Sequence, residues 1–190
     1  MSKFLMLTDY FMAQSPFKIL TPRLLLRPWR KTDLPLMAAI NADERVMEYF
    51  PSTQSEEQTM GFISRCQAHQ EEHGYCYFAA ETRSDNRLIG FIGLAYQTYE
   101  VDFTPCTDIG WRLHPDVWGQ GLATEGARAC LDFAFGELGL DQVVAVAVKQ
   151  NAPSIRVMEK LGMEYDLEFI HPALVESPRL SRCVLYTIKP

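Results

Sequence analysis

The sequence predicts an α/β (α+β) fold, in which a mixed, mostly antiparallel sheet of about seven strands carries helices on both faces. Three observations support this prediction. Two runs rich in aromatic and branched residues are joined by a short polar turn, which is typical of an antiparallel hairpin. A continuous apolar run at 143–148 indicates a strand that is covered on both faces. A glycine turn at 118–123 links a strand pattern to a long helix pattern.

In the first half of the chain, local signals mark the ends of the elements. Ser55-Glu56-Glu57-Gln58 has the pattern of a capping box, and Gly74 marks the end of the long helix that follows it. Ser84-Asp85-Asn86 supplies the polar turn of the hairpin. Besides that long helix, the predicted elements are a strand at 21–29, short helices at 33–41 and 44–49, and hairpin strands at 75–82 and 88–96.

In the second half, strands alternate with helices. Asn151-Ala152-Pro153-Ser154 begins a helix with proline in its first turn, and Gly162 closes that helix. The predicted elements are a strand at 108–113, a helix at 122–138, a strand at 143–148, a helix from 151 to 162, and strands at 165–170 and 183–188.

Length and composition favour one domain. A chain of 190 residues, 47% hydrophobic and 22% charged, is long enough to bury a full core and is ordinary for a globular protein. We expect residues 19–190 to form a single domain and residues 1–18 to form a loosely ordered N-terminal arm. The sequence has no clean signal peptide and no apolar span long enough for a membrane, so a cytoplasmic protein is predicted.

Charge and cysteine usage argue against several classes of partner and site. A formal net charge of −6 argues against a large nucleic-acid surface. The five cysteines are odd in number, scattered and without a CxxC pair, which indicates free thiols in a reducing compartment. A structural zinc site would need paired ligands that this pattern lacks, so no metal is predicted.

The glycine turn predicts a phosphate site, because small residues between a strand and a helix present N–H groups at the positive end of the helix dipole. Gly121 and Gly126 have the separation of a P-loop, but Ala127-Arg128 stand where lysine and Ser/Thr are required. Gly119 and Gly121 begin a dinucleotide pattern, but Thr124 stands in place of its third glycine. A turn that holds the pyrophosphate of an acyl-CoA is the third type.

Trp118-Gly119-Gln120-Gly121-Leu122-Ala123 resembles the Q/R-x-x-G-x-G/A motif of the GNAT N-acetyltransferase superfamily. With Thr124-Glu125 added, the string looks like the branch that contains the ribosomal-protein N-terminal acetyltransferases. Thr21–Trp29 is similar to that branch's first strand, and Asn151–Gly162 is similar to its Asn-x-x-Ser…Lys-Leu-Gly-Phe segment. The chain departs from the pattern where Trp118 replaces Gln/Arg and Met163 replaces phenylalanine.

The resemblance implies that acetyl-CoA is the cosubstrate and that a primary amine attacks its thioester directly. It also implies a cleft where the fourth and fifth strands, at 108–113 and 143–148, splay apart. The backbone of Trp111, Arg112 and Leu113 would bond the pantetheine arm, and Asn151 would contact the cofactor from the other side. The turn would contribute the remaining cofactor-binding residues, Trp118, Gly119, Gln120, Gly121, Leu122, Ala123 and Thr124.

Two side chains are predicted to be catalytic. Some relatives carry a glutamate base on the fifth strand. This chain has no carboxylate there, because the stretch is Ala145-Val146-Ala147-Val148. Asp108, on the strand beside the cleft, is the predicted base, with a strand-end aspartate as the alternative. Ser154 matches the serine of the related segment and is the predicted acid for the departing thiolate, with a first-turn serine as the alternative. Glu125 is predicted to be structural.

Two other functions remain open at this point. The chain could be an acyl-CoA-binding module without turnover. More remotely, His69-Gln70-Glu71-Glu72-His73 matches H-x-x-E-H, the pattern of some zinc metallopeptidases, although no third ligand is evident. The expected partner is an amine substrate, either a small molecule or a protein N-terminus. Its wall is expected from 33–73 and 171–182. A second copy of the chain is a plausible partner, whereas nucleic acid and membrane are not expected.

Overall fold

The computed structural model of the protein describes residues 17–190, so the predicted N-terminal arm lies almost entirely outside the described residues. Within 17–190 the chain forms eight strands and four α-helices. The strands are β1 (Ile19–Leu20), β2 (Leu24–Arg27), β3 (Tyr77–Thr82), β4 (Leu88–Gln97), β5 (Cys106–Leu113), β6 (Val143–Val148), β7 (Glu164–Ile170) and β8 (Arg182–Ile188). The helices are α1 (Leu34–Ala42), α2 (Glu56–His73), α3 (Leu122–Gly136) and α4 (Ala152–Leu161).

The predicted mixed, mostly antiparallel sheet is confirmed, with one strand more than expected. The strand order is β1-β2-β3-β4-β5-β6-β8-β7, and every neighbouring pair is antiparallel except β5 with β6. The additional strand is the two-residue β1, which is too short to show a period in the sequence. None of the helices described between residues 17 and 190 is both long and apolar enough to cross a membrane.

One predicted helix is wrong, because residues 44–49 form a series of turns. The carboxylate of Asp43 accepts a hydrogen bond from the backbone N–H of Arg45 at 2.9 Å, which fixes a local turn in place of a helical start. The capping box of α2 is confirmed. Ser55 Oγ accepts from the N–H of Gln58, and Gln58 Oε1 accepts from the N–H of Ser55. Gly74 ends that helix with φ +81°.

β5 and β6 meet at a single point. Their one register pair is Asp108 with Val144, and beyond it Trp111–Leu113 and Val146–Val148 have no pairing with each other. The predicted splay is therefore present, and we call this gap the fork. It separates the fifth and sixth strands in the observed numbering, because β1 is counted.

Close packing fixes α3 at the open end of the fork. Gly126 lies against β2 and β4, where a Cβ atom would come within 2.5 Å of Ile92 Cδ1 and 3.2 Å of Leu24 Cδ1. A glycine at this position therefore allows the helix to approach the sheet closely. The first turn of α3 then follows directly from the glycine turn that ends the β5 connection.

Candidate active site

The glycine turn adopts a conformation that requires glycine at two positions. After β5, residues Pro115–Val117 form a 3-10 turn, and α3 begins at Leu122. Gly119 has φ +73° and Gly121 has φ +78°, both in the left-handed region that residues with a Cβ atom rarely adopt. Gly121 is also the N-cap residue of α3.

The backbone N–H groups of this turn are free to bind a ligand. Among residues 17–190, no carbonyl and no side chain accepts from the N–H groups of 119–123. They lie at the positive end of a 15-residue helix, where an anion is favoured both by the dipole and by direct hydrogen bonds. The turn therefore has the geometry of a phosphate site.

Two cations flank the turn. A cleft of about 450 Å³ is lined by Gly121, Thr124, Glu125, Arg128 and Lys160. Arg128 Nη2 donates to the carbonyl of Lys160 at 2.7 Å, which ties α3 to α4 at this cleft. The sequence motifs did not identify Arg128 and Lys160, because only the packing of the two helices brings them together.

Glu125 anchors the turn to the first strands. Its carboxylate accepts from Thr21 Oγ1 at 2.6 Å, from the N–H of Arg23 at 2.9 Å and from Arg23 Nε at 2.6 Å. Arg23 also donates to the carbonyl of Gln120 at 2.9 Å. Partial burial raises the pKa of Glu125, but the bonds from Thr21 and Arg23 outweigh burial and hold that pKa below its usual value. These contacts agree with a structural role for Glu125.

The register of β5 shows which backbone groups face the fork. The N–H of His114 donates to the carbonyl of Ile89, so the ladder alternation directs the backbone of Arg112 toward β4. The backbone groups of Trp111 and Leu113 point the opposite way, into the fork. Trp118, 48% exposed, donates its indole N–H to the carbonyl of Leu113 at 2.8 Å. The backbone N–H and carbonyl of Trp111 and the N–H of Leu113 therefore remain available to a bound ligand.

Asn151 and Ser154 lie across the fork from β5, at the start of α4. Asn151 Oδ1 accepts from the N–H of Ser154 at 3.1 Å and so caps the helix that was predicted to begin here. The hydroxyl of Ser154 is partly buried and makes no hydrogen bond within residues 17–190. Contact of either side chain with a cofactor stays a prediction.

Asp108 lies at the point where the fork begins, because it forms the only register pair between β5 and β6. Its carboxylate accepts from the hydroxyl of Tyr77 at 2.7 Å, and that hydroxyl also receives a bond from Gln97 Nε2 at 3.3 Å. Burial raises the pKa of Asp108 to about 6, and the bond from Tyr77 limits the rise. Tyr77 and Gln97 were not predicted, because the register between β3, β4 and β5 determines which side chains meet.

A second cleft, of about 360 Å³, lies beside the segment that connects α1 to α2. Both segments expected to form the acceptor wall line it. Arg179, from the connection between β7 and β8, donates to the carbonyl of Glu48 at 2.9 Å. The lining residues are Glu44, Met47, Glu48, Phe50, Pro51, Ser52, Thr53 and Arg179. We call this cleft the mouth.

The zinc alternative is wrong for His69 and His73. The Nδ1 atom of His69 lies 2.7 Å from the carbonyl of Tyr75, and its Nε2 atom accepts from the N–H of Tyr96 at 2.8 Å. Both ring nitrogens are thus used by the backbone, which leaves no lone pair for a metal. Among the described residues, no three His, Cys, Asp or Glu side chains are grouped to hold a metal ion.

Comparisons with known proteins agree with the geometry. Residues 23–164 match the family model described as acetyltransferase (GNAT) domain. An uncharacterised N-acetyltransferase of Bacillus subtilis, YnaD, is 32% identical over 146 residues, covering 76% of this chain and 81% of the relative. A GNAT acetyltransferase structure from Bacillus anthracis superposes with a TM-score of 0.75 at 27% identity, covering 91% of this chain and 98% of that one. RimL, a ribosomal L7/L12 α-N-protein acetyltransferase determined with coenzyme A, has a TM-score of 0.74 at 15% identity. That likeness covers 91% of this chain and 98% of RimL, and it concerns the fold alone.

Proposed function

The chain belongs to the GNAT acetyltransferase family and is an acetyl-CoA-dependent N-acetyltransferase, and we propose that its reaction takes place in the fork between β5 and β6. One observation carries the proposal. The fork joins a turn whose N–H groups have no partner among the described residues to a carboxylate whose pKa is raised to about 6. The first feature suits a pyrophosphate, and the second suits an amine that must lose a proton.

For the donor, we propose that the N–H groups of 119–123 hold the pyrophosphate of acetyl-CoA, with Trp118 and Thr124 beside it. Arg128 and Lys160 contribute positive charge at the same cleft. The pantetheine arm then runs along β5, bonded by the backbone of Trp111 and Leu113, with Asn151 on the opposite side. This course places the thioester near Asp108, where the two strands separate.

For the reaction, we propose that Asp108 takes the proton of the attacking amine. A lysine-like amine with a pKa of about 10.4 needs roughly 4.6 kcal/mol to deprotonate at neutral pH, whereas an α-amine needs about 1–1.4 kcal/mol. A base with a pKa near 6 is ionised at pH 7 and can accept that proton. The amine nitrogen bonds to the carbonyl carbon, the carbon–sulfur bond breaks, and Ser154 donates its proton to the thiolate and recovers one from solvent.

The acceptor is a primary amine, either a small molecule or a protein N-terminus, and we propose that it enters through the mouth. Glu44 and Glu48 line this cleft and favour the approach of a protonated amine.

The test is thiol release from acetyl-CoA across a panel of primary amines, measured for the wild type and for Asp108→Asn and Ser154→Ala. We expect turnover with at least one amine, and losses of about 10²- to 10⁴-fold in kcat/KM for the Asp108 variant. Exposed matched controls are Asp102→Asn and Ser64→Ala. Tight acetyl-CoA binding without thiol release would favour the binding module, and unchanged turnover in both variants would exclude the two assigned roles.

A further inference from the structure

Arg112 is a partly buried cation without an acidic partner among residues 17–190. Its Nη1 atom donates to Asn41 Oδ1 at 2.7 Å, and its Nε atom is buried with no acceptor. The guanidinium lies 4.3 Å from the ring centre of Phe50 and 5.4 Å from that of Phe91. The two rings accept no conventional hydrogen bond, and the Asn41 amide accepts only one, so most of the N–H groups of Arg112 have no acceptor.

Arg27 provides an internal comparison, because it is also a buried arginine. It donates to Asp33 at 2.7 and 2.9 Å and to Glu81 at 2.8 Å. Burial lowers the pKa of Arg27, but these carboxylates outweigh burial and hold the pKa above its usual value. At Arg112, burial lowers the pKa to about 10, and the side chain still carries its charge at neutral pH. A charge kept in such surroundings would be stabilised by an anion.

Arg112 lies on the acceptor side of the site. Side-chain alternation on β5 places it on the same face as Asp108 and Gly110, and four residues span about 13 Å along a strand. Phe50, which stacks on the guanidinium, also lines the mouth. Toward Asp108, the next contacts are Phe91 on Tyr77 at 5.1 Å and then Tyr77 on Asp108. Arg112 therefore lies beside the mouth-lining Phe50, four residues along β5 from Asp108, where the fork begins.

We infer that the acceptor is an amine that also carries a carboxylate several bonds from its reacting nitrogen. The Arg112 guanidinium binds the carboxylate near the mouth while the nitrogen lies at Asp108. Arginine suits this role because its planar fork of donors matches a carboxylate. Because the rings of Phe91 and Tyr77 lie between the guanidinium and the Asp108 carboxylate, the arrangement favours a carboxylate remote from the amine over an α-carboxylate. This inference rests on the proposed function and narrows its substrate class.

The test compares three linear acceptors of equal length, namely an ω-amino acid, its primary amide and a diamine, over a series of lengths. We expect the wild type to prefer the acid at its best length by about 10- to 100-fold in kcat/KM, mainly through a lower KM, as one charged hydrogen-bonded pair supplies. Arg112→Gln should abolish this preference, and Arg112→Lys should retain part of it. Arg65→Gln, an exposed arginine on α2, is the matched control and should keep the preference.

A second variant changes the charge beside Arg112, and its folding is checked by circular dichroism because Asn41 Nδ2 also donates to Gln54 Oε1 at 3.1 Å and to Thr59 Oγ1 at 3.0 Å. Asn41→Asp places a carboxylate against the guanidinium, so it should remove the preference for the acid while Arg112 stays in place. Equal use of acid, amide and diamine by the wild type would overturn the inference, as would an unchanged preference in Arg112→Gln. Calorimetry can measure the affinities of the acid and of the amide for the CoA-bound protein, which tests the same preference without turnover. Absent thiol release would contradict the proposed function, whereas equal binding would contradict this inference.

Discussion

At the scale of single residues, the carboxylate of Asp108 is costly to ionise at the position proposed for the catalytic base. Burial raises its pKa from 3.8 to about 6, which at about 1.36 kcal/mol per pKa unit corresponds to at most about 3 kcal/mol. A carboxyl whose pKa is raised by folding contributes stability below its unfolded pKa, and this contribution is lost as pH rises through its folded pKa. The charged carboxylate of Asp108 therefore lowers the stability of the wild type above about pH 6.

Asp108→Asn should for this reason stabilise the protein in a pH-dependent way. Asparagine can still accept the hydrogen bond of Tyr77 but carries no charge to desolvate. We expect the free energy of unfolding in urea to match that of the wild type near pH 4 and to exceed it by up to about 3 kcal/mol at pH 8. Asp102→Asn, at an exposed position, should show no such gain. A destabilised Asp108 variant at pH 8 would show that the carboxylate is structural.

Tyr77→Phe should change the pH profile of catalysis without removing the base. The hydroxyl of Tyr77 donates to Asp108 and thereby lowers the pKa of that carboxyl. Without this bond the pKa rises further above its usual value, so the acidic limb of kcat/KM against pH should move to higher pH. Tyr75→Phe is the control, because the hydroxyl of Tyr75 bonds Thr107 instead. An equal shift in both variants would contradict the assignment of Asp108 as base.

At the scale of elements, the left-handed glycines of the turn can be separated from left-handed glycines elsewhere. Gly119 and Gly139 both have positive φ, +73° and +65°, and a Cβ atom would meet no neighbour within 4 Å at either position. Alanine should therefore cost a similar amount at both, about 1–2 kcal/mol of backbone strain. Only Gly119→Ala should raise the KM for acetyl-CoA, because only that turn presents the N–H groups. An equal rise of the KM for acetyl-CoA in Gly139→Ala would show that the effect comes from general instability.

The sequence predicted elements whose signals are local. The capping box at Ser55, the left-handed end at Gly74 and the glycine turn all depend on neighbouring residues, and each lies where it was predicted. It did not predict the bond between Tyr77 and Asp108, because residues 31 positions apart meet only through strand register. For the same reason the lack of an acceptor for Arg112 Nε carries no signal in the sequence.

At the scale of the whole molecule, the fork divides the sheet into two parts. Strands β1 to β5 form one part and β6 to β8 the other, and the single register pair of Asp108 with Val144 joins them. Arg128 and Lys160 also link helices that belong to the two sides. A ligand in the fork would contact both parts, so its binding should stabilise the whole fold. At a hundredfold excess over Kd, the gain expected from mass action is about 2.7 kcal/mol.

Amide hydrogen exchange, resolved by residue, should show where that stabilisation originates. With CoA bound, we expect slower exchange at Trp111, at Leu113 and at the turn amides of 119–123, because these N–H groups have no protein acceptor in the fork. The amide of Arg112 should be protected already in the free protein, because its backbone faces β4. New protection at Trp111 and Leu113 but not at Arg112 would indicate a cofactor bonded along β5. General rigidification would instead slow the exchange of all three strand amides together. Equal new protection at Arg112, or none at the turn, would place the cofactor outside the fork.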